Sequence, residues 1–255
     1  MRSLIAVAAI AFALNTSAST STSEITDMWW DPTKSGEGFN VILQNDVAFV
    51  TFFVYDQTMT PFWYTAELRY QGNLVWFGPL YATTGPWFGG PFNPALVTRR
   101  QAGTANFTLV DLAHATFSFA ADGVPVTLNL QRQTWTNENY TGTYAGGYSI
   151  RFSSCGPSSL NGVQDALGTL AVNQVGNSVS MDSTTPTGTC SFGGTYSQTG
   201  KLGDVQGTYS CSDGTRGTFE AFEMTPTISG FNARIAGQDQ FCQWAGYLGG
   251  IRRAE

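Results

Sequence analysis

From residue 38 to about residue 133 the chain repeats one cycle, a short apolar or alternating run followed by a turn signal. GFNVILQ ends at Asn45-Asp46, and VAFVTFFVYD runs from Val47 to Asp56. Pro61 opens PFWYTAELRY, and Gly72-Asn73 separates it from LVWFGPLYAT. Three more runs follow at about 104–110, 115–121 and 124–133, with Asp122-Gly123 as a hairpin turn between the last two. The period is two rather than 3.6, so the pattern predicts strands and no long helix in this half. Residues 84–95, TGPWFGGPFNPA, hold too much Gly and Pro for a strand and read as a structured loop. In 49–55 both faces are apolar, with Phe49, Phe53 and Tyr55 on one and Val50, Phe52 and Val54 on the other. An antiparallel sheet with one wet face alternates more cleanly, so a cover over the second face is expected, from a long loop, the other domain or a partner. The nearest candidate for it is the 84–95 loop with Trp87, Phe88 and Phe92.

The pattern breaks at the polar stretch TWTNENYT, 134–141, which places a boundary near Asn137. Beyond it, glycine recurs with a bulky residue two positions on: Gly142 with Tyr144, Gly168 with Leu170, Gly194 with Tyr196, Gly207 with Tyr209, and Gly217 with Phe219. Small barrels use glycine in this way where strands bend or crowd. Closure would bring GGYSIRF, near the start of this half, against QWAGYLGGIR at its end. The fold class expected is all-β, with two antiparallel units at 24–135 and 140–253, each a small barrel or strongly curled sheet.

Composition separates the halves further. Six of the seven tryptophans precede residue 136, and all four cysteines follow residue 154. No CxxC occurs and the single histidine is His114, so zinc and redox readings lack ligands and spacing, and neither metal nor cofactor is expected. Two structural disulfides are expected instead. Cys190 and Cys211 flank a turn centred near Gly200-Lys201, which sets them opposite each other on paired strands; Cys155 and Cys242 then remain to tie the start of the second unit to its end.

The first 18 residues read as an export signal: Met1-Arg2, an apolar run from Leu4 to Leu14, then Thr16 and Ala18 placed for cleavage. An apolar run of about 11 residues spans roughly 16 Å as a helix, too short for a bilayer core of about 30 Å. A secreted or periplasmic location follows, with no transmembrane helix. The formal net charge is −6, with charged residues only 12% of the chain and no basic patch, which argues against nucleic acid.

The densest cluster of candidate chemistry is DMWWDPTKSGEGFNV, 27–41, read as a turn leading into the first strand. Consecutive Trp29 and Trp30 point to opposite sides if extended. With Trp87, Phe88 and Phe92 they could form an aromatic platform, and Asp31, Glu37 and Asn40 could add polar selectivity. The competing reading is a buried cap made from the same aromatics. A glycosidase would need two carboxyl groups across a cleft, and Asp27, Asp31, Glu37 and Glu67 are the acids available near this segment. His114 after Asp111 reads as a surface turn, since nothing marks a partner serine.

DMWWDPTKSGEGFNVILQ, VTFFVYD, PFWY, GPLYATTGPWFGGPFNP and LNLQRQTW together resemble a family of exported bacterial all-β proteins of unclear function. Its opening is W-W-x-P-x-x-S-G-x-G-x-N, matched by Trp29, Trp30, Pro32, Ser35, Gly36, Gly38 and Asn40. Its second motif, T-G-P-W-F, is matched by Thr84, Gly85, Pro86, Trp87 and Phe88. The resemblance covers about residues 27–135 and implies an exported β domain but no activity; Glu37 stands where the family often has a further tryptophan. Three readings compete: a noncatalytic binding or surface-associated module with a glycan or envelope polymer as partner, a carboxylate-dependent hydrolase, and a structural envelope protein.

Overall fold

A computed structural model describes residues 23–254. The export segment 1–18 therefore lies outside the described residues. The chain forms two compact units, divided between Leu130 and Gln131, and each is a closed eight-stranded antiparallel barrel. No helix among the described residues is long and apolar enough to cross a membrane.

The first barrel is an up-and-down meander of β1 (Asp27–Trp30), β2 (Gly38–Gln44), β3 (Val47–Tyr55), β4 (Pro61–Gly72), β5 (Val75–Thr84), β6 (Thr98–Leu109), β7 (His114–Ala121) and β8 (Val124–Arg132). The 27–41 segment is thus not a turn throughout. Its first four residues are a strand whose Trp29 pairs with Phe39 of β2. Period-two alternation sends Phe39, Val41, Val50, Phe52, Leu68, Trp76, Phe107 and Phe117 inward, where they fill the barrel. Phe52 touches Phe39, Phe117 and Phe119 at centroid distances of 5.0–5.2 Å. The outward positions of β6–β8 are polar, among them Thr104, Thr108, Thr116, Ser118, Thr127 and Asn129. The tight turn at Asp122-Gly123 has φ of 51° and 82°, the left-handed pair that a two-residue hairpin requires.

The 84–95 loop does not cover the outer face of β3. Phe49, Phe53 and Tyr55 stay exposed on the outer face, as do Trp63 and Phe77 on the neighbouring strands. The 85–97 loop instead presents Trp87, Phe88 and Phe92 to solvent.

The second barrel comprises β9 (Gly142–Ser153), β10 (Gly162–Val175), β11 (Ser178–Thr185), β12 (Gly188–Thr199), β13 (Leu202–Cys211), β14 (Arg216–Thr227), β15 (Gly230–Asp239) and β16 (Gln243–Arg252). It closes by pairing its last strand with its first, from Gln243 opposite Ser153 to Arg252 opposite Tyr144. The recurring glycines and their bulky partners two residues on share the inner face. At Gly207 and Gly217 an added Cβ would lie 1.9 Å from a carbonyl oxygen of the neighbouring strand, Gly193 or Gln238. Only glycine lets the strands approach so closely while a tyrosine or phenylalanine follows into the core.

One end of this barrel is sealed by the segment that reads as a polar break. Tyr140 is buried, and its hydroxyl donates to the Met224 carbonyl at 3.0 Å. Tyr144 donates to the Tyr140 carbonyl at 2.7 Å, and Arg252 donates to both the Tyr144 hydroxyl and the Thr141 carbonyl. Gln174 and Gln198 serve as brackets. Gln174 accepts from Tyr140 N and donates to the Glu138 carbonyl, while Gln198 accepts from Glu138 N and donates to the Thr136 carbonyl. Side chains of the barrel therefore satisfy the backbone of 134–141, and Thr134 and Thr141 in return accept from Gly200 N and Gln174 N.

Candidate functional site

At the opposite end, the connections 154–161, 186–187, 212–215 and 240–242 surround a cup of about 1030 Å³. Its wall is built by strand parity. Three of the four rim cysteines have an aromatic residue two positions deeper on the same face: Phe192 beneath Cys190, Tyr209 beneath Cys211, Trp244 beneath Cys242. Phe152, Leu170, Met181, Ile235 and Leu248 complete the apolar lining. Phe192 stacks on Tyr209 with centroids 5.4 Å apart, and Trp244 meets Tyr209 edge-on at 5.7 Å. Trp244 also donates its indole N–H to the Tyr209 hydroxyl at 3.1 Å, which fixes both rings.

Both disulfides lie in the rim of this cup. Cys190 and Cys211 are directly opposed on β12 and β13 and are bonded, 21 positions apart in sequence. Cys155 is bonded to Cys242, 87 positions away, joining the loop after β9 to the start of β16. A backbone bond from Gly156 N to the Phe241 carbonyl supports the same junction. The rim is therefore cross-linked where a barrel end would otherwise fray.

Charged groups lining the cup are acidic. Asp239 ends β15 on the inward face and accepts from Phe241 N and Cys242 N, each at 2.7 Å. Asp213 accepts from Thr215 N at 2.9 Å, and the hydrogen bonds from Thr215 hold its carboxyl below the usual range. Burial raises the Tyr209 hydroxyl, and the neighbouring charges of Asp239 and Asp213 push it the same way.

The residues nominated from sequence lie in the first barrel, and the structure disperses them. Trp29 is 0% exposed, donates its indole N–H to the Ile25 carbonyl at 3.0 Å and packs edge-on against Phe107 at 5.3 Å. It faces the core and not a ligand. Trp30 is half-buried on the other side of the same strand. Asp31 is buried, and hydrogen bonds from the Thr33 hydroxyl and backbone hold its carboxyl below the ordinary range. It shapes the turn. Glu37 is half-buried, and Asn40 is exposed on β2 opposite Met28 and Thr51. Trp87, Phe88 and Phe92 are 71%, 96% and 71% exposed, with Trp87 folded over Gly89 and Gly90 and 6.0 Å from Phe88.

Of the acids considered for hydrolysis, Asp31 is engaged in its turn and Glu67 in an ion pair. Glu67 pairs with Arg99, whose guanidinium lies 3.5 Å above the Tyr81 ring on the outer face. His114 bonds Asp111 at 2.9 Å, and the same carboxylate caps Ala113 N and His114 N, closing an exposed turn. Among the described residues no group of three or more His, Cys, Asp or Glu could hold a metal ion.

No protein-family model matches the chain, and no curated protein sequence matches it. The likeness of 27–135 to the W-W-x-P proteins thus remains a resemblance of motifs. Among solved structures the chain is similar to a candidate outer membrane protein from Bacteroides fragilis, at 11% identity over 85% of this chain and 94% of that one, with a TM-score of 0.33. It is also similar to a protein of unknown function of the DUF3598 family from Nostoc punctiforme, at 10% identity over 89% and 93%, with a TM-score of 0.27. Superpositions this loose do not establish a shared architecture, so the functional reading rests on the barrel's own geometry.

Proposed function

We propose that the protein is an exported, noncatalytic binding module whose second barrel takes a small, largely apolar molecule into its cup. The observation that carries this reading is the cup of about 1030 Å³ at one barrel end, walled by Phe152, Phe192, Tyr209 and Trp244. Ligand sites are commonly apolar concavities of roughly 300–1,000 Å³ with a few polar groups at fixed positions. The cup has that size and lining, a cross-linked rim and a sealed floor. Export is supported by the segment 1–18 and by the two disulfides, which persist in oxidising compartments.

Titration with the neutral fluorophore N-phenyl-1-naphthylamine tests the reading. Saturable one-to-one binding is expected in the oxidised protein. It should be abolished by Ser183→Trp, which adds an indole to the lining, while the near-ultraviolet circular dichroism of the first barrel's tryptophans is kept. Binding that survives Ser183→Trp, or no saturable binding at all, would count against the cup.

The exposure of Trp87, Phe88 and Phe92 favours a second reading, in which the 85–97 loop stacks on a glycan or envelope polymer. Trp87→Ala should then weaken pull-down on insoluble cell-wall polymer with an unchanged melting temperature. An unchanged pull-down would remove this reading.

A further inference from the structure

We infer that the cup selects a ligand that is cationic at one end: an apolar, preferably aromatic body bearing an ammonium group held at the mouth. The inference rests on the binding reading above and adds the charge of the molecule bound.

Three aspartates, Asp165, Asp213 and Asp239, are among the residues lining the cup, and no Lys, Arg or His is among them. The basic residues nearest in sequence to the mouth are Arg151 and Arg216. They sit one position out of step with inward-facing Phe152 and Gly217, on the outer face, and both are exposed. The chain as a whole is sparse in cations, so no mobile lysine supplies the missing charge from these loops. Two of the aspartates are fixed by backbone N–H groups: Asp239 through Phe241 and Cys242, and Asp213 through Thr215. Their carboxylates are therefore preorganised and do not need to be collected by the ligand. Their field reaches inward, since both act on the Tyr209 hydroxyl below the rim.

An anionic amphiphile would place its head between two carboxylates in a partly desolvated mouth, where like charges repel more strongly than in water. A neutral ligand would gain nothing from them. An ammonium group gains the carboxylates at the rim. This combination of an apolar wall and anchored acids, without a competing cation, is selective for one sign of charge.

The test uses the full oxidised chain and three probes of one shape: (1-naphthylmethyl)trimethylammonium, 1-naphthylmethanol and 1-naphthalenesulfonate. Binding is read by calorimetry at low ionic strength, where screening is weak. The cation should bind at least about tenfold tighter than the alcohol, and the sulfonate should bind weakest, an order set by the sign of the rim charge. Asp213→Asn with Asp239→Asn should erase the preference for the cation and leave the alcohol unchanged. Because Asp239 also holds the 239–242 turn, Thr187→Lys provides a second variant. It adds a positive charge at the mouth without touching either carboxylate, and should weaken the cation alone. Equal affinities for the three probes, or a preference for the sulfonate, would overturn the inference and leave the apolar cup standing. Alcohol binding without added affinity for the cation does the same. Failure of all three probes to bind would overturn both readings.

Discussion

Removing the two disulfides one at a time should destabilise the second barrel unequally, by amounts that follow from the loops they close. In the chain-entropy description a cross-link lowers the entropy of the unfolded chain by a constant plus a term in the logarithm of loop length. The inner bridge, Cys190–Cys211, spans 21 positions and contributes about 3.3 kcal/mol at 25 °C. The outer bridge, Cys155–Cys242, spans 87 positions. With the inner bridge intact, its loop is shortened to about 66 residues, which gives about 4.3 kcal/mol. The expected gap is therefore about 1 kcal/mol, and the constant in the description cancels from it. The inner pair changed to serine and, separately, the outer pair changed to serine should be unfolded in urea and followed by hydrogen exchange with mass spectrometry, which reads each barrel separately. The outer pair should cost more. Peptides from β1–β8 should keep their protection in both variants, because no cysteine lies in that barrel. A larger cost for the inner pair, or loss of protection in the first barrel, would refute loop closure as the origin of the stabilisation.

Further outcomes follow from single residues. Trp29 and Trp76 are both fully buried, but Trp29 donates to Ile25 while the Trp76 indole N–H has no partner, so Trp29→Phe should cost about 1 kcal/mol more than Trp76→Phe in equilibrium unfolding. Gly207→Ala should abolish folding of the second barrel or divide its melting transition, since the new methyl meets a carbonyl oxygen at 1.9 Å; a wild-type melt would contradict the close approach. Burial first, and then the hydrogen bond and charge of Glu220, raise the Asp204 carboxyl from 3.8 to about 6. The folded state then holds this proton more tightly than the unfolded one. The resulting stabilisation is full below about pH 4 and is lost as pH rises through about 6. Asp204→Asn should flatten that slope in melts between pH 4 and 7, and an unchanged slope would assign it to other groups.

Much of the fold is legible from local chemistry because barrels are built from neighbours in sequence. Asp122-Gly123 encodes a left-handed turn, and the positions of Cys190 and Cys211 about Gly200-Lys201 encode a register. The glycine with a bulky residue two positions on encodes a crowded inner face. The site was harder to read. Tryptophan density drew attention to 27–41, yet Trp29 is extended beside Phe39 and its ring completes a filled core. A cup is a shortage of volume shared among eight strands, and no single strand displays it. The available signal is the shared parity of three rim cysteines and the aromatic two positions away: Cys190-Ser-Phe192, Tyr209-Ser-Cys211 and Cys242-Gln-Trp244. The polar run 134–141 reads as a break because the partners that order it, Gln174 and Gln198, are distant in sequence.

The pairing of β9 with β16 means that the second barrel receives and releases its chain at the sealed floor, with Arg252 beside Tyr144. Among the described residues nothing covalent crosses the mouth apart from its own short connections and the two disulfides. The barrel is therefore suited to circular permutation: a linker from Arg253 back to Thr134, with new ends opened at Pro186-Thr187, would leave every strand pairing in place. For the same reason the protein can be immobilised through its C-terminus with the cup unobstructed, an orientation that suits a surface-mounted sensor for whatever the cup retains.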